Sequence, residues 1–468
     1  MSNNRRQFFS LLGAGLVAGR TGLAAGPASR DQRGRERPGS DGGRVAAESA
    51  AALLSVETPD VPKLAWTMED GVKVFNLVAE PVKREFLPGA VVDAWGYNGT
   101  APGPTIEVMQ GDRVRIIVDN HLPEPTSMHW HGFEIPIGMD GMPGISQPMI
   151  PPGGRFTYEF TLHQAGTFFY HSHMSMQEMM GLIGLFIMHP REPYTPRVDR
   201  DFGLILQEWA ILPSNTVPNT LSMEFNWLTM NGKSGPATTP LIVKLGERVR
   251  IRLVNLGMDH HPIHLHGNTF HVTGTEAGRV PSSAWTPANT VLVGVAQARD
   301  IEFDANNPGD WMLHCHMPHH TMNHMASMVG PMLQGSGMQT GMGMPEGMGM
   351  MQQDAPLSEE NGPSLGRAVG LGAEREKPVT NMPLTSKNAM QGMENMQGMT
   401  RAHKPDHAVQ VPGYPQDMST PMDAAVAKPE TYGLASGWSA GVTGMMTLVR
   451  VLPPDLYQEV MARVKERA

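Results

Sequence analysis

Gly246-Glu247-Arg248-Val249-Arg250-Ile251 repeats Gly111-Asp112-Arg113-Val114-Arg115-Ile116 at an offset of 135 residues, and this echo decides the fold. The same offset carries Asn120 onto Asn255, His129 onto His264, His131 onto His266 and Gly132 onto Gly267. A second block, displaced by 143, sets Gly166 and His171-Ser172-His173 against Gly309 and His314-Cys315-His316. Self-similarity at a fixed spacing marks one structural unit used more than once. Two units are therefore expected, over residues 64–190 and 197–335. Within them Val114, Ile116 and Val118 alternate with Arg113, Arg115 and Ile117, and Val249, Ile251 and Leu253 alternate with arginines. That is the period of a strand with one buried face. Pro102-Gly103-Pro104 and Pro151-Pro152-Gly153-Gly154 cut the strands short. The chain reads as all-β, with two Greek-key β-sandwiches.

The flanks differ in composition. Asn3-Asn4-Arg5-Arg6-Gln7-Phe8-Phe9, the mildly apolar 11–18 and the small residues Ala24-Ala25-Gly26 resemble a twin-arginine export signal over residues 1–30. A periplasmic or extracellular location follows. Residues 31–63 lack periodicity and read as a flexible leader. The chain holds 37 Met, 52 Gly and 40 Pro, and much of this excess falls in a low-complexity tail at 336–430. Its thioethers, from Met338 to Met399, are of a kind that captures Cu(I). Met174, Met176, Met179 and Met180 either continue that route or form a packing face. In the last segment, 431–468, Leu456, Val460, Met461 and Val464 mark one face of a short amphipathic helix. That segment is expected to dock on the protein's own surface or on a partner. The net charge of −9 gives no support for nucleic-acid binding. No apolar run is long enough to span a bilayer as a helix.

Four histidine clusters carry the chemistry: His129-Trp130-His131, His171-Ser172-His173, His261-Pro262-Ile263-His264-Leu265-His266, and His314-Cys315-His316 with His320 and Met325 beyond it. Side chains alternate along a strand, so an HxH pair points both rings to one face. Three such pairs with His314 and His316 are expected to place eight imidazoles around one cavity. Cys315 is the only cysteine, so in an exported protein its sulfur has no internal disulfide partner and is free for metal. A thiolate, imidazoles and a weak thioether are the ligands of a blue-copper electron-transfer site.

With these four motifs in this order, residues 64–335 resemble the multicopper oxidases (laccases, bilirubin and cuprous oxidases). The resemblance implies cupredoxin-like domains and four coppers per subunit. It assigns type 1 copper to His261, Cys315 and His320 with Met325 as the long axial ligand, and type 2 copper to His129 and His264. The type 3 pair would take His131, His171, His173, His266, His314 and His316. Only 88 residues separate His173 from His261, too few for the middle domain of larger laccases, and the first unit has Ser172 where the second has Cys315. The chain is thus similar to the two-domain, small-laccase type, in which three-copper clusters assemble between the subunits of a homotrimer. In that family an acid at the position of Asp140 relays protons to oxygen. Thr321 stands where the family often places a second acid, and His319 and His324 read as surface groups. The implied activity couples one-electron oxidation of a phenol or a metal ion, Cu(I), Mn(II) or Fe(II), to four-electron reduction of dioxygen. The competing readings are a copper-binding or copper-resistance protein without turnover, and a copper nitrite reductase. The latter keeps its type 1 cysteine in the first domain.

Overall fold

The structure is a computed structural model and describes residues 54–174, 176–212, 215–322 and 421–467. The export signal, most of the Met-rich tail, His324 and Met325 lie outside the described residues. The first sandwich comprises β1 (Trp66–Glu69), β2 (Val72–Leu87), β3 (Ala90–Tyr97), β4 (Gly103–Met109) and β5 (Arg113–Asn120). It is completed by β6 (His129–His131), β7 (Arg155–Thr161), β8 (Gly166–His171) and β9 (Ile183–His189). Strands β1, β2, β3, β5 and β7 form one sheet and β4, β9, β8 and β6 the other. Val114, Ile116 and Val118 are fully buried and meet Ile106, Trp130, Phe168 and Phe186 of the facing sheet. The period-two pattern read from the repeat is this buried face.

The second sandwich begins with β10 (Arg200–Trp209), β11 (Trp227–Met230), β12 (Leu241–Lys244), β13 (Arg248–Asn255) and β14 (His261–Leu265). Next come β15 (Phe270–Thr275), β16 (Gly278–Arg279), β17 (Thr286–Ala288), β18 (Thr290–Val293), β19 (Gln297–Asp304) and β20 (Gly309–Cys315). The last strand, β21 (Met446–Leu452), is followed by the helix α1 (Pro454–Arg467). One sheet runs β11-β10-β13-β19-β15-β16 with β17 at its side, and the other runs β12-β21-β20-β14-β18.

The structure differs from the sequence reading in four places. First, residues 431–468 are more than a surface clip. Strand β21 lies inside the second sandwich, parallel to β12 and antiparallel to β20, with Met446 opposite His314. All seven of its residues are buried. α1 then covers the sheet with the expected face, packing Leu456, Val460, Met461 and Val464 on Ile242 and Leu452. Secondly, residues 421–430 are not low-complexity tail. Val426 is buried beside Trp209 and Trp227, and Lys428 donates to Asp60 Oδ1 at 2.9 Å. Thirdly, the end of the supposed leader is folded. Glu57 N–H donates to Asp201 O at 2.8 Å, and Val56 is fully buried between the sandwiches.

Fourthly, β13 is buried on both faces. Arg250 and Arg252 are 7% and 1% exposed, whereas Arg113 in the first unit is open to water. The cause is the other sandwich. Arg252 Nη1 donates to Thr167 Oγ1 of β8 at 2.7 Å, and Thr167 donates to Asp300 Oδ1 at 2.6 Å. Arg252 and Arg250 both pair with the fully buried Asp201. Burial raises the Asp201 carboxyl, but the two guanidiniums more than reverse this and hold it well below the carboxylate range.

Candidate metal centres

Strand pairing assembles the Cys315 site. β14 and β20 align Ile263 with Cys315 and His264 with His314, which brings His261 to the sulfur. A 3₁₀ turn at Pro318–Thr321 then folds His320 back onto it. The C-terminal segment closes the far side: Cys315 N–H donates to Met445 O at 3.0 Å, and Met445 N–H to His320 O at 2.9 Å. Gly444 has φ +64°, and a Cβ there would lie 2.4 Å from His320 O, so only glycine allows this approach.

Cys315, His261 and His320 are all fully buried. Their inner donors form a triangle: Cys315 Sγ to His320 Nδ1 3.4 Å, Sγ to His261 Nδ1 3.8 Å, and Nδ1 to Nδ1 3.2 Å. Burial pushes the thiol up to about 12, with Glu208 and Asp259 adding to the effect. Burial, then His261 and His319, brings the His320 imidazole down to about 3. Two buried imidazoles and a desolvated sulfur converging on one point fit a soft cation, and a His₂Cys set fits copper.

The outer nitrogens differ. His261 Nε2 faces Glu208 Oε2 at 3.1 Å, and Glu208, itself fully buried, also accepts from Asp259 N–H at 3.0 Å. His320 Nε2 has no hydrogen-bond partner, and the nearest carboxylate oxygen, on Asp259, is 3.5 Å away. The sequence reading missed both acids. Glu208 carried a signal, since it is an acid between the apolar run Phe202–Leu206 and Trp209, with only Gln207 as a polar neighbour in that stretch.

The other eight histidines form two sets of four. On the first sandwich, His129 and His131 of β6 pair across to His171 and Phe169 of β8. Ring centroids of His129 lie 5.7, 5.3 and 5.3 Å from those of His131, His171 and His173. His129 Nδ1–H donates to Asp140 O at 2.7 Å, with Asp140 Oδ1 3.6 Å away. His171 Nδ1 faces Ser172 O at 2.9 Å and Glu178 Oε1 at 2.8 Å, leaving Nε2 3.3 Å from His131 Nδ1. On the second sandwich, the His264 ring lies 4.8, 5.7 and 5.5 Å from those of His266, His314 and His316. His264 Nδ1–H donates to Asn289 O at 2.7 Å, His314 Nδ1–H to Cys315 O at 2.8 Å, and His266 Nε2 faces His314 Nε2 at 3.1 Å. A backbone carbonyl on one ring nitrogen fixes the tautomer and turns the other toward a metal. Burial, then His171 and His129, lowers the His131 imidazole to about 4, and burial also lowers His129, His266 and His314. Neutral imidazoles are the metal-binding form.

These sets do not meet in one chain. Among the described residues no ring contact joins them. His173 and His316 are exposed, so each set opens at the surface.

The first sandwich also shows what replaced its counterpart of the Cys315 site. The repeat offsets place Thr126, Ser172 and Gln177 where the second unit has His261, Cys315 and His320. Gln177 Oε1 accepts from Thr126 Oγ1 at 2.7 Å and Ser172 Oγ at 2.6 Å, while Gln177 Nε2 donates to Glu124 Oε1 at 2.8 Å. All three are buried with their hydrogen bonds made to one another. Met179 packs with Ala210 and Phe225, so it belongs to a packing face. Met176 is 41% exposed.

Multicopper-oxidase sequence profiles match residues 79–193 and 212–330, one on each sandwich. The blue copper oxidase of Nitrosomonas europaea is 32% identical, and the match covers 54% of this chain and 81% of that one with a TM-score of 0.50. This chain belongs to the multicopper oxidases. Its sandwiches are cupredoxin-like domains. Laccase-2 of Botryotinia fuckeliana is 34% identical over 272 residues, 53% of this chain and 45% of that protein. A copper resistance protein A homolog of Pseudomonas syringae pv. tomato is 40% identical over 124 residues, 26% of this chain and 21% of that protein. This multicopper oxidase thus spans less than half the length of both curated relatives. Among its described residues no helix is long and apolar enough to cross a membrane.

Proposed function

We propose that the chain is a laccase-like oxidase that takes single electrons from a phenol or a metal ion and reduces dioxygen to water with four of them. The observation that carries this is covalent: the buried thiol of Cys315 sits between His314 and His316, whose rings belong to the second imidazole set. Copper, when bound, supplies one-electron acceptance at the cysteine and dioxygen reduction at the imidazoles. His261, Cys315, His320 and Met325 would hold the type 1 copper. His129 and His264 would hold the type 2 ion, and His131, His171, His173, His266, His314 and His316 would hold the type 3 pair, making four coppers per subunit.

The chain's part is positional. Cys315 and the histidines on either side of it give electrons a path of a few bonds. Backbone carbonyls hold the ring tautomers, and the Cys315 pocket excludes water. Asp140, beside His129, delivers protons toward the imidazole set. Each set of four imidazoles is half a cluster, so a neighbouring subunit supplies the other half, and a heterologous ring of three closes the arrangement. The surface by His173 supports this: Met142, Met149 and Met174 line a hollow there, and Ile137 and Ile145 are 70% and 75% exposed. The twin-arginine motif supports export to the periplasm or beyond.

Oxygen uptake by the copper-loaded protein with 2,6-dimethoxyphenol tests the activity. If a fully loaded trimer consumes no oxygen, the reading reverts to copper storage, which the likeness to copper resistance proteins would then favour. For the assembly, inactive His131→Ala and His266→Ala proteins are unfolded, mixed and refolded together. Partial recovery of activity is expected, because some interfaces regain both intact halves. No recovery would place each cluster within one subunit.

A further inference from the structure

Two carboxylates stand beside the first imidazole set, and the proposed proton route uses only Asp140. Asp140 Oδ1 is 3.6 Å from His129 Nδ1, whereas Glu178 Oε1 is 2.8 Å from His171 Nδ1. Among the described residues no ion pair links an acid to His264, His266, His314 or His316 of the second set. Glu178 is held in place by its backbone. Its carbonyl accepts from Gly181 N–H at 2.9 Å and from Gln207 Nε2 of β10 at 3.1 Å, and Gln207 is buried. Gln177, the residue before it, is fixed by the hydroxyls of Thr126 and Ser172, by Glu124 and by Pro125 O. The Glu178 side chain is 36% exposed, while that of His171 is 7% exposed.

We propose that Glu178 is a positioning residue of the oxygen-reducing centre: its charge strengthens His171 as a donor and so retains the copper ion that this ring holds. This rests on the oxidase reading, which gives His171 to the type 3 pair. Ser172 O already accepts from His171 Nδ1 at 2.9 Å, and that carbonyl alone fixes the tautomer and leaves Nε2 3.3 Å from His131 Nδ1. What the carboxylate adds is a negative charge behind the ring. A carboxylate at the far nitrogen of a ligating imidazole raises its basicity. His171 is buried, so water screens this attraction only in part. The other ligands of the set are imidazoles, which carry no charge when they bind metal. Glu178 thus makes His171 the anchoring ligand of its set. Strand β10 backs a metal ligand in each sandwich, His261 through Glu208 and His171 through Gln207 and Glu178.

The test compares the wild-type protein with Glu178→Gln, which keeps the shape and removes the charge, and with Glu178→Ala. Each is filled from chelator-buffered Cu(II), and copper per chain is read by metal analysis. Filling of the type 3 pair should need about 10–100-fold more free Cu(II) in both variants. At intermediate copper the variants should show the paramagnetic signal of an unpaired type 3 ion, where the wild type, with its pair complete and coupled, shows none. An unchanged blue band shows that the Cys315 site and the fold around it are intact. A filling curve in Glu178→Ala like that of the wild type overturns the proposal. So does a Glu178→Gln protein that fills normally, because the charge would then be idle. A normally filled variant whose only defect is a slower oxygen step also overturns it, since Glu178 would then deliver protons. A wild type that fills with copper but consumes no oxygen would instead sink the oxidase reading, and the filling curves still decide the part of Glu178.

Discussion

Ending the chain after Thr420 should abolish the Cys315 centre, although all assigned copper ligands remain. The truncation removes β21, which lies between β12 and β20, and removes Met445, whose N–H and carbonyl brace His320 and Cys315. Val442, Met445, Met446, Leu448, Val449, Val451 and Leu452 are each at most 5% exposed. At roughly 1.5–3 kcal/mol per buried side chain, their loss is on the order of 10–20 kcal/mol as an upper bound. A domain's whole stability is about 5–15 kcal/mol. The second sandwich therefore should not form. Cutting the chain at a protease site placed near residue 370 should do little, because β21 is held by its ladder with β12 and β20 and by its buried side chains. The assay is blue absorption and thermal unfolding of three copper-loaded proteins: intact, cut and truncated. Full blue colour with an unchanged melting temperature in the truncated protein would refute the reasoning.

Other outcomes are equally specific. Cys315→Ser should remove the blue band and turnover while copper remains on the imidazole sets, as read by metal analysis and paramagnetic resonance. Asp140→Asn should slow the oxygen-dependent step in stopped flow and leave reduction of the Cys315 centre nearly unchanged. Asp201→Asn leaves Arg250 and Arg252 buried with too little countercharge, at a cost of about 3–5 kcal/mol in chemical denaturation. Glu107 gives a pH signature. Burial raises its carboxyl, but hydrogen bonds from His189, Lys63, Val56 N–H and Ser55 outweigh this and hold it at about 2, against 4.5 unfolded. Its contribution is complete above pH 4.5 and is lost as pH falls toward 2. Glu107→Gln should flatten that part of the stability profile.

The sequence made the two sandwiches and the histidine pairs legible because both obey short periods. HxH spacing on β6 and β14 gives same-face rings whatever the surroundings, and Val114, Ile116 and Val118 declare a buried face by alternation. What stayed hidden depends on contacts far along the chain. Strand β21 shows no alternation, because neighbours on both sides bury every residue, and Arg450 within it is a charge whose partners lie elsewhere in the chain. In the structure Arg450 Nε pairs with Asp310 at 2.7 Å, and Nη1 donates to Glu430 O and Tyr432 O. Arg250 and Arg252 looked like a wet face for the same reason, since the apposed sandwich could not be read from their spacing. Asp259 is only two residues from His261, but its relation to His320 exists only after the 3₁₀ turn folds back.

The self-bonded trio Thr126, Ser172 and Gln177 has a consequence for how the molecule is wired. On the proposed reading each subunit has one inlet for electrons, because the matching spot in its first half is plugged by an amide and two hydroxyls hydrogen-bonded to one another. In the proposed ring of three, every oxygen-reducing centre would then depend on a single sulfur. Dead subunits should lower the output of a mixed ring in simple proportion to their number, like lamps on separate fuses.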